Sequence, residues 1–390
     1  MTVKAARQIP YALPYLGPEE EERVLDALRS GWVTTGPRTA EFEKRFADYV
    51  GATHGLALNS CTAALHLALL GAGVGKGDEV ITTPLTFCAT VNTILHAGGR
   101  PVLADVDPGT LCLSPSAVEA RITKRTKAIL PVHYAGCPAD MAALKDLARA
   151  HNLSLIEDAA HAIGTESMGR PIGAIGDFTC FSFYATKNLT TGEGGMLTCE
   201  DGAAIDRLRM LSLHGMSRDA WKRYTAAGSW WYQVEAAGFK YNLSDVASAI
   251  GLAQLAKFDE MQAIRERYVA RYHAALGEAG FELPPDSQKP GDKHSWHLYL
   301  LRLDPLRITV DRGTFIDLLK EAGIGTSVHF IPIHMHPYYQ QELGLKPGDY
   351  PVTDKAFSRM LSLPLYPRMS EEDVDYVIAR AVDLARQYRR

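Results

Sequence analysis

The chain has 390 residues, of which 46% are hydrophobic and 22% charged, and its 41 basic and 45 acidic residues give a formal net charge of −4. With no run of Lys or Arg longer than two residues, this composition indicates neither a nucleic-acid-binding surface nor an anionic-membrane partner. Because no uninterrupted stretch of about 20 apolar residues occurs and the six cysteines lack any C-x-x-C pair, we expect a cytoplasmic protein with reduced thiols.

Two helices are predicted at the start of the chain. Residues 18–31 begin with proline and acidic residues and continue with apolar residues at helical spacing, a pattern that favours a helix. A turn at 34–37 precedes a second helical pattern through Phe42, Phe46 and Tyr49.

Short apolar runs then alternate with helical segments up to residue 156. The predicted strands are 55–58, 79–82, 101–104, 127–132 and 153–156, and the predicted helices between them are 61–72, 87–98, 114–122 and 138–151. This alternation is typical of βαβ units, so we predict an α/β fold with a mainly parallel sheet flanked by helices. Ligands of such folds bind where the carboxyl ends of strands meet the starts of helices.

The pattern changes after residue 197. Helices are predicted around 203–212, 244–273 and 312–322 and after Ser370, and a strand is predicted at 296–303. The length exceeds the roughly 250–300 residues at which a single core stops growing. We therefore predict a large α/β domain at 1–258 and a smaller α+β domain at 259–390.

Lys187 is the first candidate for chemistry. It lies between an aromatic, apolar run at 178–184 and a glycine-rich turn, within FSFYATKNLTTGEGGM at 181–196. An amine that is partly desolvated there has a lowered pKa and can act as a Schiff-base nucleophile. A solvent-exposed loop lysine is the alternative interpretation.

Asp158 is the second candidate, because it follows the apolar run 153–156 and lies 29 residues before Lys187. Pyridoxal phosphate requires a lysine amine at its aldehyde carbon and an anionic carboxylate at its pyridine nitrogen. The two residues together therefore predict a pyridoxal phosphate site. An ordinary helix cap is the alternative interpretation of Asp158.

The phosphate and the ring of this cofactor need further contacts. Segment 59–65 follows a predicted strand and opens a helix, so its backbone N–H groups and the hydroxyls of Ser60 and Thr62 are candidates for the phosphate. Ser182 is a further candidate hydroxyl, and Phe87, just past the next strand, is a candidate to stack on the ring. A plain N-cap and a core phenylalanine are the alternatives.

Seven further segments agree, in order, with one known family. They are GWVTTGP at 31–37, GDEV at 77–80, ADVD at 104–107, PVHYAG at 131–136, LHG at 213–215, KYNLSD at 240–245 and SLPLYP at 362–367. With the Asp158 and Lys187 segments, they make the chain resemble the DegT/DnrJ/EryC1/StrS family of pyridoxal-phosphate-dependent nucleotide-sugar aminotransferases nearly end to end. Within that family it most resembles the UDP-4-amino-4-deoxy-L-arabinose–oxoglutarate aminotransferases. Lys187 excludes the dehydratase branch, which has His at that position.

The resemblance implies a fold and several residue roles. The implied fold is the aspartate-aminotransferase-like fold type I of pyridoxal-phosphate-dependent transferases. Lys187 is then the Schiff-base lysine, Asp158 the partner of the pyridine nitrogen and Phe87 the stacking ring. His161 falls near the phenolate oxygen of the cofactor.

The resemblance also implies the residues around the phosphate. Thr62, Ala63 and Ser182 fall on the phosphate cradle, and Asn242 falls on a residue that reaches the phosphate from the neighbouring subunit. A homodimer with shared active sites is therefore implied. Cys61 departs from the family, in which Gly is common, and its Cβ narrows the phosphate turn.

The implied reaction is a transamination. Glutamate donates the amino group and becomes 2-oxoglutarate, and a nucleotide-linked keto sugar, expected to be a UDP-4-keto sugar, receives it. The amino sugar then serves glycan or lipid A-type biosynthesis, and amination at C3 is the alternative within the family. Thr35, His329 and Tyr338 are the candidates for binding the nucleotide sugar.

Two hypotheses come from other classes of protein. Three histidines within 328–339 suggest a metal site, but the prolines inside this segment prevent a single helical face, and we expect no metal. Asp105 and Asp107 resemble the D-x-D of metal-dependent glycosyltransferases, which also use nucleotide sugars. That hypothesis leaves Lys187 without a role.

Overall fold

The computed structural model describes residues 7–217, 231–286 and 289–390. Its helices are α1 (Pro18–Arg29), α2 (Pro37–Val50), α3 (Cys61–Gly71), α4 (Cys88–His96), α5 (Pro115–Glu119), α6 (Met141–His151), α7 (Gly202–Ser212), α8 (Asp245–Ala256), α9 (Phe258–Leu276), α10 (Arg312–Glu321), α11 (Pro337–Leu343), α12 (Pro351–Phe357) and α13 (Glu371–Gln387). Its strands are β1 (His54–Leu58), β2 (Glu79–Thr82), β3 (Arg100–Leu103), β4 (Thr126–Ile129), β5 (Ser154–Asp158), β6 (Glu166–Ser167), β7 (Arg170–Pro171), β8 (Phe178–Ser182), β9 (Gly195–Cys199), β10 (Phe281–Glu282), β11 (Tyr299–Leu303) and β12 (Met360–Leu363). No helix among these residues is long and apolar enough to cross a membrane.

A seven-stranded sheet forms the centre of the molecule, in the order β1-β9-β8-β5-β4-β2-β3. All neighbouring pairs are parallel except those of β9, which runs antiparallel to β1 and to β8. Side chains of β5 alternate between two cores, with Leu155 in the core that includes Phe46 of α2 and Ile156 in the core that includes Leu65 of α3. The sheet is therefore buried on both faces, and the predicted α/β class with a mainly parallel sheet is confirmed.

A smaller antiparallel sheet, β10-β11-β12, has its own core with α9, α10 and α13. Ile9 also packs in this core and pairs with Ile324, although it belongs to the predicted first domain. The division between residues 258 and 259 stays a prediction.

One predicted helix, 244–273, is two helices in the structure. The helical path breaks at Lys257, whose φ is −112° and ψ is 13°. Helix α8 packs against α1 and α2, whereas α9 packs against α13. Each helix thus packs against a different part of the molecule. Because the apolar periodicity is helical on both sides of Lys257, the sequence pattern did not reveal the break.

The predicted strand 296–303 begins only at Tyr299. The backbone N–H of Leu298 donates to the carbonyl of Ala135 at 3.2 Å, and that of Ser295 donates to Gly136 at 3.1 Å. These residues therefore bond to the loop after β4 rather than to a neighbouring strand. This loop approaches the carboxyl end of the large sheet.

Candidate active site

The candidate site lies at the carboxyl end of the parallel strands. Asp158 ends β5, Ser182 ends β8, Phe87 precedes α4 and Ser60 precedes α3. Because β5 and β8 are parallel neighbours, with Asp158 opposite Cys180, the segments that leave them start at the same edge of the sheet.

Lys187 lies in the connection from β8 to β9. Its backbone N–H donates to the carbonyl of Tyr184 at 2.9 Å, and its half-buried side chain has no hydrogen bond or ion pair with any described residue. Burial lowers the pKa of Lys187 to about 8, although the charges of Cys61 and Asp158 act in the opposite direction. A substantial fraction of this amine is therefore neutral and nucleophilic near neutral pH.

Asp158 is buried with few partners for its charge. Thr90 Oγ1 donates to its Oδ2 at 2.7 Å, and the backbone N–H of Ala160 donates to its Oδ1 at 3.1 Å. No basic side chain among the described residues forms an ion pair with it. Burial raises the pKa of Asp158, opposed by these two hydrogen bonds and by the charges of Lys187 and His133. A positively charged ligand group at Asp158 removes this cost.

Aromatic rings line the site. Phe87 is 56% exposed, unlike a core phenylalanine, and its ring centroid lies 5.6 Å from that of Phe330. Phe330 in turn stacks on His161 at 5.9 Å. Phe330 was missed from the sequence, although it directly follows the candidate His329. The exposed ring of Phe87 leaves a face on which a planar ligand can stack.

Three histidines lie near Lys187 and are neutral. Burial holds the pKa of His161 and of His297 well below the usual value and lowers that of His329 to about 4, with the charge of Lys187 acting in the same direction. His329 Nδ1 shares a hydrogen bond of 2.9 Å with Ser362 Oγ. His297 was missed from the sequence because it falls within a predicted strand.

The start of α3 provides backbone donors. Ser60 Oγ accepts from the backbone N–H of Ala63 at 3.1 Å, so this N–H is already paired, while those of Cys61 and Thr62 have no acceptor in the described residues. Gly195 of β9 lies close by, and a Cβ there would approach Cys61 N to 2.5 Å. The free donors favour an anion at this helix start, and the role of Ala63 stays a prediction.

No hydrogen bond or ring contact in the described residues joins Lys187 to three of the predicted substrate or phosphate residues. Asn242 Nδ2 donates to Thr35 Oγ1 at 2.7 Å, and Thr35 donates in turn to the carbonyl of Leu243, beside a cleft of about 310 Å³. Tyr338 is 57% exposed and has its ring against Tyr339.

The structure gives the glycosyltransferase hypothesis no support, because both of its acidic residues accept hydrogen bonds from the backbone nearby or from α12. The carboxylate of Asp105 accepts from the backbone N–H groups of Val352 and Thr353, at 3.0 and 3.1 Å, at the start of α12. Asp107 accepts from the N–H groups of Gly109 and Thr110, both at 2.9 Å, in a turn. Both residues therefore stabilise local structure.

The three histidines of segment 328–339 point to separate partners. His334 Nε2 bonds to Asp354 at 2.7 Å and His336 Nε2 to the carbonyl of Ile331 at 3.2 Å, whereas His329 bonds to Ser362. The described part of the chain has no group of three metal-binding side chains.

The residues at this edge of the sheet fit pyridoxal phosphate. The cofactor needs four contacts, and within the described residues they are present as an unpaired amine, a buried carboxylate without a cation, an exposed aromatic ring and free N–H groups at a helix start. The fold and the site together define a pyridoxal-phosphate-dependent transferase of fold type I.

Comparisons with known proteins identify the family. The model of the DegT/DnrJ/EryC1/StrS aminotransferase family matches residues 14–382. The chain is 51% identical over 387 residues to the spore coat polysaccharide biosynthesis protein SpsC of Bacillus subtilis, covering 99% of each protein. A solved structure named "Putative sugar aminotransferase Spr1654 from Streptococcus pneumoniae, PLP-form" matches 98% of this chain and 100% of its own, with a TM-score of 0.90 and 33% identity.

A third similar protein is PseC of Helicobacter pylori, an aminotransferase involved in the biosynthesis of pseudoaminic acid. Its structure matches 98% of this chain and 100% of the PseC chain, with a TM-score of 0.90 and 29% identity. The chain belongs to the DegT/DnrJ/EryC1/StrS aminotransferase family and is an enzyme of the pyridoxal-phosphate-dependent sugar aminotransferase class. None of these relatives bears on the similarity to the UDP-4-amino-4-deoxy-L-arabinose enzymes, which stays a prediction.

Proposed function

We propose that the enzyme transfers the amino group of glutamate to C4 of a UDP-linked 4-keto sugar, producing 2-oxoglutarate and an amino sugar for glycan biosynthesis. The observation that carries this proposal is the unpaired Lys187 amine, with its lowered pKa, beside the buried carboxylate of Asp158. The named roles of SpsC in spore coat polysaccharide biosynthesis and of PseC in pseudoaminic acid biosynthesis support a sugar precursor of a glycan.

Several side chains would hold the cofactor. Asp158 would face the ring nitrogen and keep it protonated, Phe87 would stack on the ring, and His161 would donate to its oxygen substituent. The N–H groups at the start of α3, including that of Thr62, would bind the phosphate together with the hydroxyl of Ser182. When bound, pyridoxal phosphate supplies an aldehyde to which amines attach and a ring that delocalises the electrons of a breaking bond.

Lys187 moves the protons of the reaction. Once the amino donor replaces it, its freed Nζ accepts the proton from the Cα of glutamate. Nζ would pass this proton to the cofactor carbon that bears the nitrogen, take it back in the second half-reaction and deliver it to the sugar carbon that receives the nitrogen. A pKa near 8 suits both directions, because neither the neutral nor the charged amine is scarce at physiological pH.

Local groups must attract the anionic ligands, because the chain as a whole has a formal charge of −4. The positive end of α3 would attract the phosphate, and the amine of Lys187 would attract the carboxylates of glutamate. The neutral imidazoles of His161 and His329 add hydrogen-bonding groups without adding charge.

A substrate panel tests the reaction. Purified holoenzyme is incubated with glutamate and UDP- or dTDP-linked 4-keto and 3-keto sugars, and the amino sugar and 2-oxoglutarate are quantified. We expect turnover to be fastest with a UDP-4-keto sugar. Faster turnover of a 3-keto sugar assigns the amination to C3 instead, and no glutamate-dependent product with any sugar contradicts the proposal.

We also propose a homodimer in which Asn242 of one subunit completes the phosphate site of the other. This proposal is supported by the family resemblance and by the place of Asn242, whose side chain donates to Thr35 beside an open cleft. Mixing Lys187→Ala and Asn242→Ala subunits tests it. Hybrid dimers should regain activity, since one of their two sites has both residues, whereas activity no greater than that of the parents contradicts shared sites.

A further inference from the structure

Segment 295–297 joins the Lys187 loop to the turn of His161. Ser295 Oγ donates to the carbonyl of His161 at 2.9 Å, and the Ser295 carbonyl accepts from Asn188 Nδ2 at 2.8 Å. Asn188 directly follows Lys187 in the chain. The segment thus contacts both loops that contribute to the candidate site.

These hydrogen bonds determine the tautomer of His297. Because Asn188 Nδ2 donates to Ser295, Asn188 Oδ1 is the atom that faces His297 Nδ1, at 3.0 Å. A carbonyl oxygen only accepts, so Nδ1 of the neutral ring has the proton. Nε2 of His297 is therefore left with a lone pair.

His161 has the opposite tautomer. Its Nδ1 accepts from the backbone N–H of Ala135 at 3.3 Å, so the proton of the neutral ring is on Nε2. The rings of His161 and His297 have centroids 4.3 Å apart. One imidazole therefore has a donor at Nε2, and its neighbour has an acceptor.

Neither Nε2 is enclosed by protein. The fully enclosed side-chain atoms that lack a partner in the described residues belong to Gln262, Arg265, Tyr299 and His334. His161 Nε2 and His297 Nε2 have no partner in the described part of the chain and are not among these enclosed atoms, and both rings interact electrostatically with Lys187. Both nitrogens are thus open to a ligand beside Lys187.

We propose that His297 is a further binding residue of the active site, whose Nε2 accepts a hydrogen bond from an N–H or O–H group of the ligand at Lys187. Asn188 is a positioning residue, because it sets the tautomer that leaves this nitrogen unprotonated. The amino donor and the sugar both offer amine or hydroxyl hydrogens, and the inference rests on the proposed function in this respect.

Two substitutions of His297 test the roles of its two ring nitrogens separately. His297→Asn keeps an N–H group near the position of Nδ1, and thus the contact with Asn188, but has no acceptor at the position of Nε2. His297→Gln places an amide near Nε2 and loses the contact at Nδ1. We expect His297→Asn to load the cofactor with an unchanged absorption maximum and to bind the amino donor or the sugar about tenfold more weakly. His297→Gln should retain more of this affinity.

His294→Asn is the matched control. His294 is buried in the same stretch of chain, its ring stacks on Trp296 with centroids 3.9 Å apart, and its Nδ1 accepts from the Trp296 N–H at 2.8 Å. No hydrogen bond or ring contact among the described residues joins it to Asn188 or His161. We therefore expect its folded fraction to bind both ligands as the wild type does.

Nitrogen-15 NMR of the apoenzyme reports the tautomers without any turnover. We expect the proton of His297 on Nδ1 and that of His161 on Nε2. If His297→Asn does not fold, Asn188→Ala serves instead, and it should yield a mixture of His297 tautomers and weaker ligand binding.

Two results overturn the proposal. The first is a wild-type His297 with its proton on Nε2, and the second is a folded His297→Asn or Asn188→Ala variant that binds both ligands as tightly as the wild type. A wild-type enzyme that does not turn over with glutamate contradicts the proposed function instead. In that case the proposal for His297 is still tested by its tautomer and by the binding of whichever amine the enzyme accepts.

Discussion

Glu157 and Asp158 are consecutive buried carboxylates at the end of β5, but they lie on opposite faces of the strand and have different numbers of hydrogen-bond donors. Glu157 accepts from the backbone N–H of Gly176 at 2.7 Å and from Thr179 Oγ1 at 2.8 Å, and it pairs with His133 Nε2 at 2.9 Å. Three donors therefore surround Glu157. Side chains of a strand alternate, so Asp158 faces the opposite side, toward Lys187.

Asp158 has only two donors, Thr90 and Ala160, and no cation in ion-pair contact among the described residues. A buried charge is stable only when hydrogen bonds or an opposite charge replace its hydration. Glu157 meets that condition within the protein, whereas Asp158 meets it only with a ligand. This contrast is the one expected between a structural carboxylate and a carboxylate of a binding site.

Lys187→Ala should have the largest effect on the Asp158 face. We expect transamination to fall by at least about a thousandfold, because the nucleophile and the proton carrier are lost together. Product formation and the cofactor absorption band measure the change, and borohydride should no longer fix the cofactor to the protein. Lys145→Ala is the control, since Lys145 Nζ donates to the carbonyl of Ile175 away from the site, and equal losses in both variants contradict the assignment.

Asp158→Asn should lower turnover on the order of a hundredfold, because a neutral amide cannot stabilise a positive ring nitrogen.

The same substitution should not lower the free energy of unfolding of the apoenzyme. Burial raises the folded-state pKa of Asp158, so its ionisation opposes folding as the pH rises through the unfolded and then the folded pKa. The variant should therefore be at least as stable as the wild type at pH 7, and the difference should vanish at acid pH. Denaturant titration at both pH values tests the sign.

Glu157→Gln should show the reverse behaviour. An amide in place of one carboxylate oxygen points an N–H toward the His133 or Thr179 donor, so a hydrogen bond is lost and a donor is left unpaired. We expect the free energy of unfolding to fall by about 2 kcal/mol. Turnover of the folded fraction should fall far less than in Asp158→Asn. Similar stability and activity profiles for the two variants would remove the distinction between the two faces.

The pH dependence of cofactor capture tests the charge of Lys187. Only the neutral amine attacks an aldehyde, so the rate at which apoenzyme binds pyridoxal phosphate covalently should rise about tenfold per pH unit below the pKa and level off above a pH of about 8. Stopped-flow absorbance measures this rate. A rate that still rises tenfold between pH 9 and 10 contradicts a lowered pKa.

Phe87→Ala should have the smallest effect. Loss of one stacking contact of about 1 kcal/mol should weaken cofactor binding roughly fivefold, with little change in stability because the ring is 56% exposed. Phe183→Ala is the counterpart in the core, where the ring lies 5.3 Å from those of Phe42 and Phe46. That variant should lose about 3–5 kcal/mol of stability. Cofactor titration and thermal unfolding compare the two.

Sequence patterns were sufficient to predict those features that depend on residues close together in the chain. The alternation of apolar runs and helical segments predicted the strand that ends at Asp158 and the helix that starts beside Ser60, because both depend on neighbouring residues. The unusual placement of Lys187 between an apolar strand and a glycine-rich turn was visible for the same reason.

Contacts between residues far apart in the chain could not be predicted from these patterns. Thr90 bonds to a residue 68 positions away, and His297 stacks on His161 and bonds to Asn188 although its own stretch of chain suggested only a strand. Likewise, nothing near Asp105 in the chain indicates that it caps a helix beginning at residue 351.

The sequence by itself therefore determined the class of fold and indicated Lys187 and Asp158 as candidate site residues, since periodicity and short motifs act over a few residues. Only the tertiary structure decided which buried carboxylate lacks donors, which tautomer His297 adopts and where the long helical pattern breaks at Lys257. These outcomes depend on hydrogen bonds and packing between segments that are far apart in the chain, and no local pattern encodes such partners.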